Sequence, residues 1–339
     1  MSAKSKIEFG TSIRATSADP GRPMHEQIAE TAIFVRKLSE LGTFSRITAQ
    51  HHWLSYPSVW TDPMLMLARL TPESGNMRLL TSVIKLALHN PVEMAESVGT
   101  LDHICAGRFD FGIAVGYQEA ELESVGATRK DRVPRLEECL KIMKLLWTGE
   151  EVTYHGEFWN IVARRIGFGP VQKPHPPIWV ATQSVGAARR AARVGNGILM
   201  APQVQWKDLA ILAREFREAC AREGKAGLVG VNRNIALAKD RKSAVHESSS
   251  RVNAMMQTYR NWDMQERSTL KIVLDPEEDY GDWSISGNAE ECIDTIGRFK
   301  DELGLDYIGL SILNMPKDFS AKLEYVQRLS EDVLKKVRG

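Results

Sequence analysis

The chain has 339 residues, of which 43% are hydrophobic and 26% are charged, a globular composition long enough for one α/β barrel or two smaller domains. Its 44 basic and 43 acidic residues leave a formal net charge of +1, which argues against a surface that follows nucleic-acid phosphates. No stretch approaches the roughly 20 apolar residues that span a bilayer, and the N-terminal segment lacks the apolar core of a signal peptide. We therefore expect a cytoplasmic protein with no nucleic-acid or membrane partner.

The cysteines are far apart in the chain and include no C-x-x-C pair. They are Cys105, Cys139, Cys220 and Cys292. This spacing predicts reduced thiols in a cytoplasmic protein, and neither a disulfide framework nor a zinc site.

Short apolar or β-branched segments alternate with longer amphipathic ones along most of the chain. Apolar residues at helical spacing, such as Ala32, Val35 and Leu38, predict a helix on that stretch. The predicted strands are residues 6–14, 43–50, 77–88, 108–115, 178–182, 197–201, 233–239 and 306–313. The predicted helices are residues 24–41, 63–70, 92–104, 132–147, 185–194, 206–223, 288–303 and 319–337.

Roughly eight β-then-α units in one chain predict an α/β fold of the (β/α)8 TIM-barrel type, with residues 1–339 in a single domain. A doubly wound sheet is the alternative, but the number of units and the absence of G-x-G-x-x-G after the first strand weigh against it. Two segments break the alternation. Residues 151–176 predict a hairpin-like insertion, and the polar residues 240–286 predict a mobile lid or insertion.

The second predicted strand ends in Q-H-H-W at residues 50–53, which a barrel would bring to its mouth. Neighbouring side chains on a strand point to opposite faces, so His51 and His52 cannot both face one core. No third ligand lies nearby at metal-binding spacing, so we expect no metal. An imidazole there could orient or protonate a bound molecule, and a hydrogen-bonded structural histidine is the alternative.

Two further strands carry unusual residues near their ends. T-S-V at residues 81–83 interrupts the third strand with small residues, and Lys85 within the same apolar run indicates that part of it faces water or a ligand. Gly116 follows the strand at 108–115 and predicts a loop with unusual backbone angles.

The predicted strand at 178–182 runs directly into a helix that is rich in small residues. Thr182, Gln183 and Ser184 precede the helix, which begins near Val185. Hydroxyl groups beside the backbone N–H groups of a helix N-terminus form a natural phosphate site. Ser184 acting only as an N-cap is an equally good interpretation of the sequence.

Taken together, these segments resemble the bacterial luciferase-like flavin monooxygenases, from about residue 6 to residue 200 and more loosely to the C-terminus. The matching blocks are Q-H-H-W, T-D-P, M-R-L-L-T-S-V-I-K-L-A-L-H-N-P-V-E-M-A-E and L-D-H-I-C-A-G-R-F-D-F-G-I-A-V-G. The resemblance implies a luciferase-like barrel that binds reduced FMN at its strand C-termini and uses O2 to oxidise a small organic substrate. It also implies a separate flavin reductase as partner, and a homodimer.

The resemblance suggests roles for the residues at the mouth. Family members commonly have a non-proline cis peptide at the end of strand three, which here falls between Ser82 and Val83 and would lie against the flavin ring. His51 matches the first histidine of the luciferase motif E-H-H-F, which acts in the reaction with oxygen, and His52 is the second catalytic candidate. Gln50 replaces that glutamate, which leaves the proton role of the histidine open.

The resemblance also implies two sets of binding residues. Those predicted to bind the flavin are Thr81, Ser82, Val83, Gly116, Thr182, Gln183, Ser184 and Val185. Those predicted to line the substrate pocket are Phe9, Trp53, Tyr56 and Trp60. Luciferase has a cysteine and an arginine where this chain has Ala114 and Val115, so we expect residues 182–184 to do more of the phosphate binding and we do not expect light emission. We interpret Arg189 and Arg190 as a solvent-facing part of the following helix.

Three alternatives remain on the same barrel. The first is an oxidoreductase that uses the deazaflavin F420, although such relatives often carry Asp or Glu where this chain has Gln50. The second is a non-catalytic flavin-binding subunit. The third is a metal-dependent hydrolase.

Overall fold

The structure is a computed structural model of the 339-residue chain. It describes residues 6–13, 21–50, 52–54, 59–261 and 284–338. Among the described residues, no helix is long and apolar enough to cross a membrane.

The central feature is a closed ring of eight parallel strands surrounded by helices, which confirms the predicted TIM barrel. The strands in chain order are β1 (Glu8–Ser12), β2 (Arg46–Ala49), β3 (Arg78–Thr81), β4 (Ile84–Lys85), β5 (Phe109–Ala114), β6 (Val152–His155), β7 (Asn160–Arg164), β8 (Ile178–Thr182), β9 (Gly197–Met200), β10 (Leu228–Leu237), β11 (Ser284–Gly287) and β12 (Tyr307–Ile312). The ring runs β1-β2-β3-β5-β8-β9-β10-β12 and closes where β12 pairs with β1. Strand β4 continues β3 alongside β5, and β11 pairs with the second half of β10.

The helices alternate with the strands. They are α1 (Met24–Leu41), α2 (Pro63–Leu70), α3 (Pro91–Ile104), α4 (Glu119–Glu123), α5 (Arg132–Leu146), α6 (Val185–Val194), α7 (Trp206–Arg222), α8 (Arg241–Asn261), α9 (Ala289–Leu303), α10 (Phe319–Arg328) and α11 (Lys335–Arg338). A π-helical stretch at Leu329–Leu334 joins the last two. The four cysteines are free and buried.

Side chains along each barrel strand alternate between two environments. Ile7, Phe9 and Ile47 belong to the large hydrophobic core that the strands share with the helices. Leu80, Trp179, Leu199 and Tyr307 form a separate buried cluster. Since these four residues come from strands spread around the ring, they can meet only along the barrel axis. The alternation therefore fixes which residue of each strand faces the interior.

The N-terminal end of the barrel interior is closed by an ionic network, which we call the barrel floor and define as Arg46, Arg78 and Asp110. Asp110 is 1% exposed and accepts hydrogen bonds from Arg46 Nε at 2.8 Å and from Arg78 Nη2 at 2.7 Å. The Arg46 guanidinium also lies 5.0 Å from the centre of the Tyr307 ring. Both guanidinium groups of the floor thus share one buried carboxylate, and Arg46 also pairs with Glu8 at the barrel end.

Several element boundaries differ from the sequence predictions. The third strand does not run from residue 77 to 88: β3 ends at Thr81, a cis peptide follows between Ser82 and Val83, and Leu86–Leu88 is a 3-10 helix. Strand β10 begins at Leu228, before the predicted start at residue 233. The pattern of a short apolar run does not show where the backbone bends, so the sequence predicts the ends of such strands poorly.

The two segments that break the alternation have regular structure where they are described. Strands β6 and β7 form an antiparallel hairpin. In the segment predicted as a lid, Arg241–Asn261 is α8 and Ser284–Gly287 is β11, and residues 262–283 lie outside the described residues. A lid over the barrel remains a prediction.

Candidate active site

A cavity of about 460 Å³ opens at the C-terminal ends of the barrel strands. Its inner wall is built from the interior-facing positions that follow the floor and the axial cluster along each strand. These residues include Ser12, Gln50, Ser82, Ala114, Gln183, Asn232, Asn234 and Ser311. The sequence prediction that function lies at this end of the barrel agrees with the position of the cavity.

One wall of the cavity is the bulge at the end of β3. The peptide between Ser82 and Val83 is cis, as the family resemblance predicts, and both residues line the cavity. Ser82 Oγ accepts a hydrogen bond from Asn232 Nδ2 at 3.1 Å. Behind the bulge, a Cβ atom on Gly112 would lie 1.8 Å from the carbonyl oxygen of Thr81, so only glycine allows β5 to approach this closely.

A buried ion pair lies at the cavity wall next to the bulge. Lys85, on β4, is 3% exposed and its Nζ pairs with Glu121 Oε1 on α4. The same carboxylate oxygen accepts the backbone N–H of Trp53 at 2.9 Å. Lys85 Nζ is also 3.5 Å from Nδ1 of His52. Burial lowers the pKa of Lys85 to about 8, although the charge and the hydrogen bond of Glu121 oppose the shift.

The start of α6 forms another part of the wall. Ser184 is the N-cap and its Oγ accepts the Ala187 N–H at 3.2 Å, so the capping interpretation of this serine is confirmed. Gly186 has no atom within 4 Å of an added Cβ, which leaves the first turn accessible. The earlier N–H groups of a helix have no partner within the helix, and they attract anions. Ser184 therefore caps the helix without using all of its N-terminal donors.

The structure places Arg190 differently from the sequence interpretation, which assigned it to solvent. It lines the cavity, and its Nε is buried without a partner among the described residues. Burial lowers its pKa, which marks a cation whose lost hydration is only partly compensated. Arg189 does face solvent and pairs with Glu215. The helical spacing could have indicated this position, because residue 190 lies one turn after Ala187 on the same face of the helix.

Other buried polar atoms of the cavity also lack partners among the described residues. They are Oε1 of Gln203 and Nδ2 of Asn234, and both side chains are 2% exposed. Buried polar groups in proteins nearly always have hydrogen-bond partners, so an unpartnered donor and acceptor facing one cavity indicate a polar ligand. The set of a cation, a helix N-terminus and neutral amides fits a phosphorylated cofactor with hydroxyl groups.

The predicted site residues divide by position. Those that line the cavity are His52, Trp60, Ser82, Val83, Gly116, Gln183 and Ser184. Gly116 has φ of +79°, the unusual backbone angle that the sequence predicts. His51 and Tyr56 lie outside the described residues.

Five other predicted site residues do not line the cavity. Phe9, Thr81 and Thr182 are at most 1% exposed and occupy outward positions of their strands, so the alternation of side chains turns them away from the barrel axis. Trp53 packs against His89, with ring centres 5.3 Å apart. Val185, in the first turn of α6, packs against the hydrophobic core. The side chains of Phe9 and Trp53 thus do not line the described cavity, and neither do those of Thr81, Thr182 and Val185. Their assignment to the substrate pocket or to the flavin site remains a prediction.

No group of three or more His, Cys, Asp or Glu side chains within the described ranges is arranged to hold a metal ion. The polar side chains that line the cavity among the described residues include amides, hydroxyl groups, the His52 imidazole, the Glu30 carboxylate and several cations.

Comparison with known proteins identifies the family. The family described as luciferase-like monooxygenase matches residues 7–306. The chain belongs to this family. The sequence resemblance is thereby confirmed over most of the chain's length.

Individual relatives use different cofactors. The oxygenase component of the flavin-dependent trigonelline monooxygenase of Acinetobacter baylyi is 28% identical over 58% of this chain. The F420-dependent glucose-6-phosphate dehydrogenase of Kineococcus radiotolerans is 31% identical over 51% of the chain. The matches span 55% and 53% of the lengths of these relatives.

A solved structure agrees with the fold. The oxygenating constituent of 3,6-diketocamphane monooxygenase of Pseudomonas putida, in complex with FMN, superposes with a TM-score of 0.82 at 17% identity and covers 97% of this chain and 99% of its own. At that identity the likeness concerns the fold alone.

Proposed function

We propose that the protein is a flavin-dependent monooxygenase that uses reduced FMN and O2 to oxidise a small organic molecule, with the reduced flavin supplied by a separate flavin reductase. The observation that carries the proposal is the cavity at the barrel mouth, in which the Ser82–Val83 bulge and the N-terminus of α6 line one space. The family membership and the trigonelline relative support the same reaction class.

Different residues of the cavity would bind different parts of FMN. Ser184, Gly186 and Arg190 would hold the phosphate, because a helix N-terminus and a guanidinium both favour a dianion. Arg190 would supply the positive charge that luciferase has at the position of Val115. Gln203 and Asn234 would bind the hydroxyl groups or ring edge, and the bulge would support the ring.

Bound in reduced form, FMN supplies the two electrons with which O2 is activated. The axial cluster fills the barrel interior beneath the cavity, so water could reach that chemistry only from the open mouth. His52 lines the cavity with its ring 4.7 Å from that of Trp60, and can donate or accept a proton there. His51 and His52 are the proposed catalytic residues.

The alternative cofactor is F420, which the glucose-6-phosphate dehydrogenase relative uses. Gln50 favours FMN, because it is a neutral amide that accepts the Ser12 hydroxyl at 3.0 Å where F420-dependent relatives often carry a carboxylate. The predicted homodimer, the lid and the cytoplasmic location remain predictions.

The test is an anaerobic calorimetric titration of the purified protein with reduced FMN and, in a separate experiment, with reduced F420. We expect saturable binding of reduced FMN that weakens about 10-fold or more in Arg190→Met, because a charge-assisted hydrogen bond contributes about 1.5–3 kcal/mol. Arg189→Met is the matched control, and its affinity should equal that of the wild type because Arg189 pairs with Glu215 at the surface.

Other outcomes reject the proposal in distinguishable ways. Binding of reduced F420 without binding of reduced FMN would assign the protein to the F420-dependent oxidoreductases. Binding of reduced FMN without any change in the rate at which O2 reoxidises it would indicate a non-catalytic flavin-binding subunit.

A further inference from the structure

Lys85 is an unusual residue for the wall of this cavity. It is 3% exposed, it lies on β4 directly after the cis peptide, and its neighbours Ile84 and Leu86 are buried apolar residues. A buried ammonium loses its hydration, and natural proteins seldom keep one without a specific partner. The contacts of Lys85 therefore indicate its role.

The first partner, Glu121, connects three parts of the chain. Its Oε1 pairs with Lys85 on β4 and also accepts the backbone N–H of Trp53. Glu121 itself is 1% exposed and belongs to α4, the short helix after β5. The pair thus fixes the backbone immediately after His52 to the wall of the cavity.

The second partner is the imidazole of His52. Lys85 Nζ lies 3.5 Å from Nδ1, and an ammonium has three donors and no acceptor. A hydrogen bond between them therefore requires an unprotonated Nδ1. In a neutral imidazole the proton is then on Nε2. The Trp60 ring, 4.7 Å away and tilted by 54°, further limits rotation of the imidazole.

We infer that Lys85 is a positioning residue, which holds His52 at the cavity wall as the neutral tautomer protonated on Nε2, and that Glu121 keeps Lys85 in place and charged. His52 then enters any reaction in the cavity as a hydrogen-bond donor through Nε2. The position and tautomer of His52 do not depend on the flavin. The effect of Lys85 on turnover rests on the proposed function.

The titratable groups around Lys85 explain why the hydrogen bond between Lys85 and His52 depends on pH. Burial lowers the pKa of the Lys85 ammonium to about 8, and the charge and hydrogen bond of Glu121 oppose this shift. His52 is the acceptor, and His89 nearby has a pKa lowered to about 4 by burial, so it adds no charge at neutral pH. At neutral pH Lys85 therefore donates to Nδ1. Above about pH 8 it becomes an amine that can also accept, and the constraint on the tautomer is lost.

The test is long-range ¹H–¹⁵N NMR of the full-length protein with ¹⁵N-labelled histidine and without flavin, in which His52 is assigned by the loss of its signals in His52→Gln. At pH 7 we expect Nδ1 to resonate as an unprotonated, hydrogen-bonded nitrogen and Nε2 as a protonated one. The Nδ1 signal should shift as pH rises through about 8, when Lys85 loses its proton.

Variants separate positioning from general structural damage. Lys85→Met should abolish the step near pH 8, Lys85→Arg should keep the hydrogen-bonded Nδ1 at pH 7, and Glu121→Gln should move the step to lower pH. Lys144→Met is the matched control, because Lys144 is also a partly buried lysine with a lowered pKa but bonds to Val194 O on the outside of the barrel. It should leave the His52 signals unchanged.

Two results would overturn the inference. One is a wild-type spectrum in which Nδ1 carries the proton at pH 7. The other is a folded Lys85→Met protein, verified by near-ultraviolet circular dichroism, whose His52 signals and their pH dependence match those of the wild type. Since no flavin is present, failure of the proposed FMN binding would leave both measurements interpretable.

Discussion

The floor and the mouth of the barrel both bury polar groups, but they satisfy them differently. At the floor, Asp110 accepts hydrogen bonds from Arg46 and Arg78, so each charge has a partner of opposite sign. At the mouth, Asn234 Nδ2 and Gln203 Oε1 have no partner among the described residues. Equal burial therefore accompanies two different states of hydrogen bonding.

The difference separates structural groups from binding groups. A network that is complete within the protein stabilises the fold and leaves nothing to bind a ligand. Unpartnered groups around a cavity instead cost stability in the free protein, and a ligand can recover that cost. Trp179 Nε1 and Tyr307 Oη lie between the two regions and also lack partners among the described residues, but the cavity does not reach them.

The largest expected effect is at the floor. Asp110→Asn should lower the free energy of unfolding by about 3–5 kcal/mol, because it removes the buried carboxylate that both Arg46 and Arg78 share. Urea denaturation measures the change. Glu8→Gln is the control: its side chain is 46% exposed although it also pairs with Arg46, so its cost should not exceed about 1 kcal/mol.

Equal effects of the two substitutions would mean that the floor is not an enclosed network. The distinction between floor and mouth would then have to be abandoned, because burial would no longer determine the contribution of each ion pair.

The next effect concerns the buried ammonium at the mouth. Burial lowers the pKa of Lys85 to about 8 in the folded protein, whereas an unfolded lysine titrates near 10.4. Between these values the unfolded chain binds more protons, so stability should rise with pH. The free energy of unfolding should rise by at most about 1.4 kcal/mol per pH unit. The rise reflects the loss of the cost of burying a charged Lys85, which is present in full below pH 8.

Urea denaturation of the wild type and of Lys85→Met at several pH values isolates this contribution from other titrating groups. The difference between the two proteins should change between about pH 8 and 10 and stay constant from pH 6 to 7.5. Parallel stability curves across the whole range would show that Lys85 has an ordinary pKa and that the mouth tolerates its charge without cost.

The sequence predicted the barrel because its signals are local and repeated. Apolar spacing such as that of Val35 and Leu38 identifies a helix, and roughly eight alternating units favour a closed barrel over an open sheet. For the end of β3 at Thr81 the sequence offered only the small residues T-S-V at 81–83, because the apolar run resumes after them. The family resemblance alone located the cis peptide there.

The site was harder to predict because it depends on which way each side chain faces. Thr182 and Gln183 are adjacent, yet one is buried outside the barrel interior and the other lines the cavity. Arg190 was assigned to solvent because charged helix residues usually are exposed. The Lys85–Glu121 pair joins residues on separate elements, and no local pattern relates them.

The smallest effect on stability, and the most direct comparison, comes from two asparagines on β10. Asn232 Nδ2 donates to Ser82 Oγ, whereas Asn234 Nδ2 has no partner among the described residues. Asn232→Leu should lower the free energy of unfolding by about 1–3 kcal/mol because it leaves a hydroxyl without its donor. Asn234→Leu should change it by less than about 1 kcal/mol, or raise it, because no bond is lost.

Ligand affinity should then separate the two roles. Asn234→Leu, despite its unaltered stability, should weaken binding of reduced FMN about 2- to 10-fold, the loss expected for one neutral hydrogen bond. Calorimetric titration at a fixed pH gives the affinity, and urea denaturation gives the stability of the same preparation. If Asn234→Leu instead destabilised the protein as much as Asn232→Leu did and bound the flavin normally, Asn234 would have to be assigned to the structural network, and the unpartnered amide would no longer indicate a ligand.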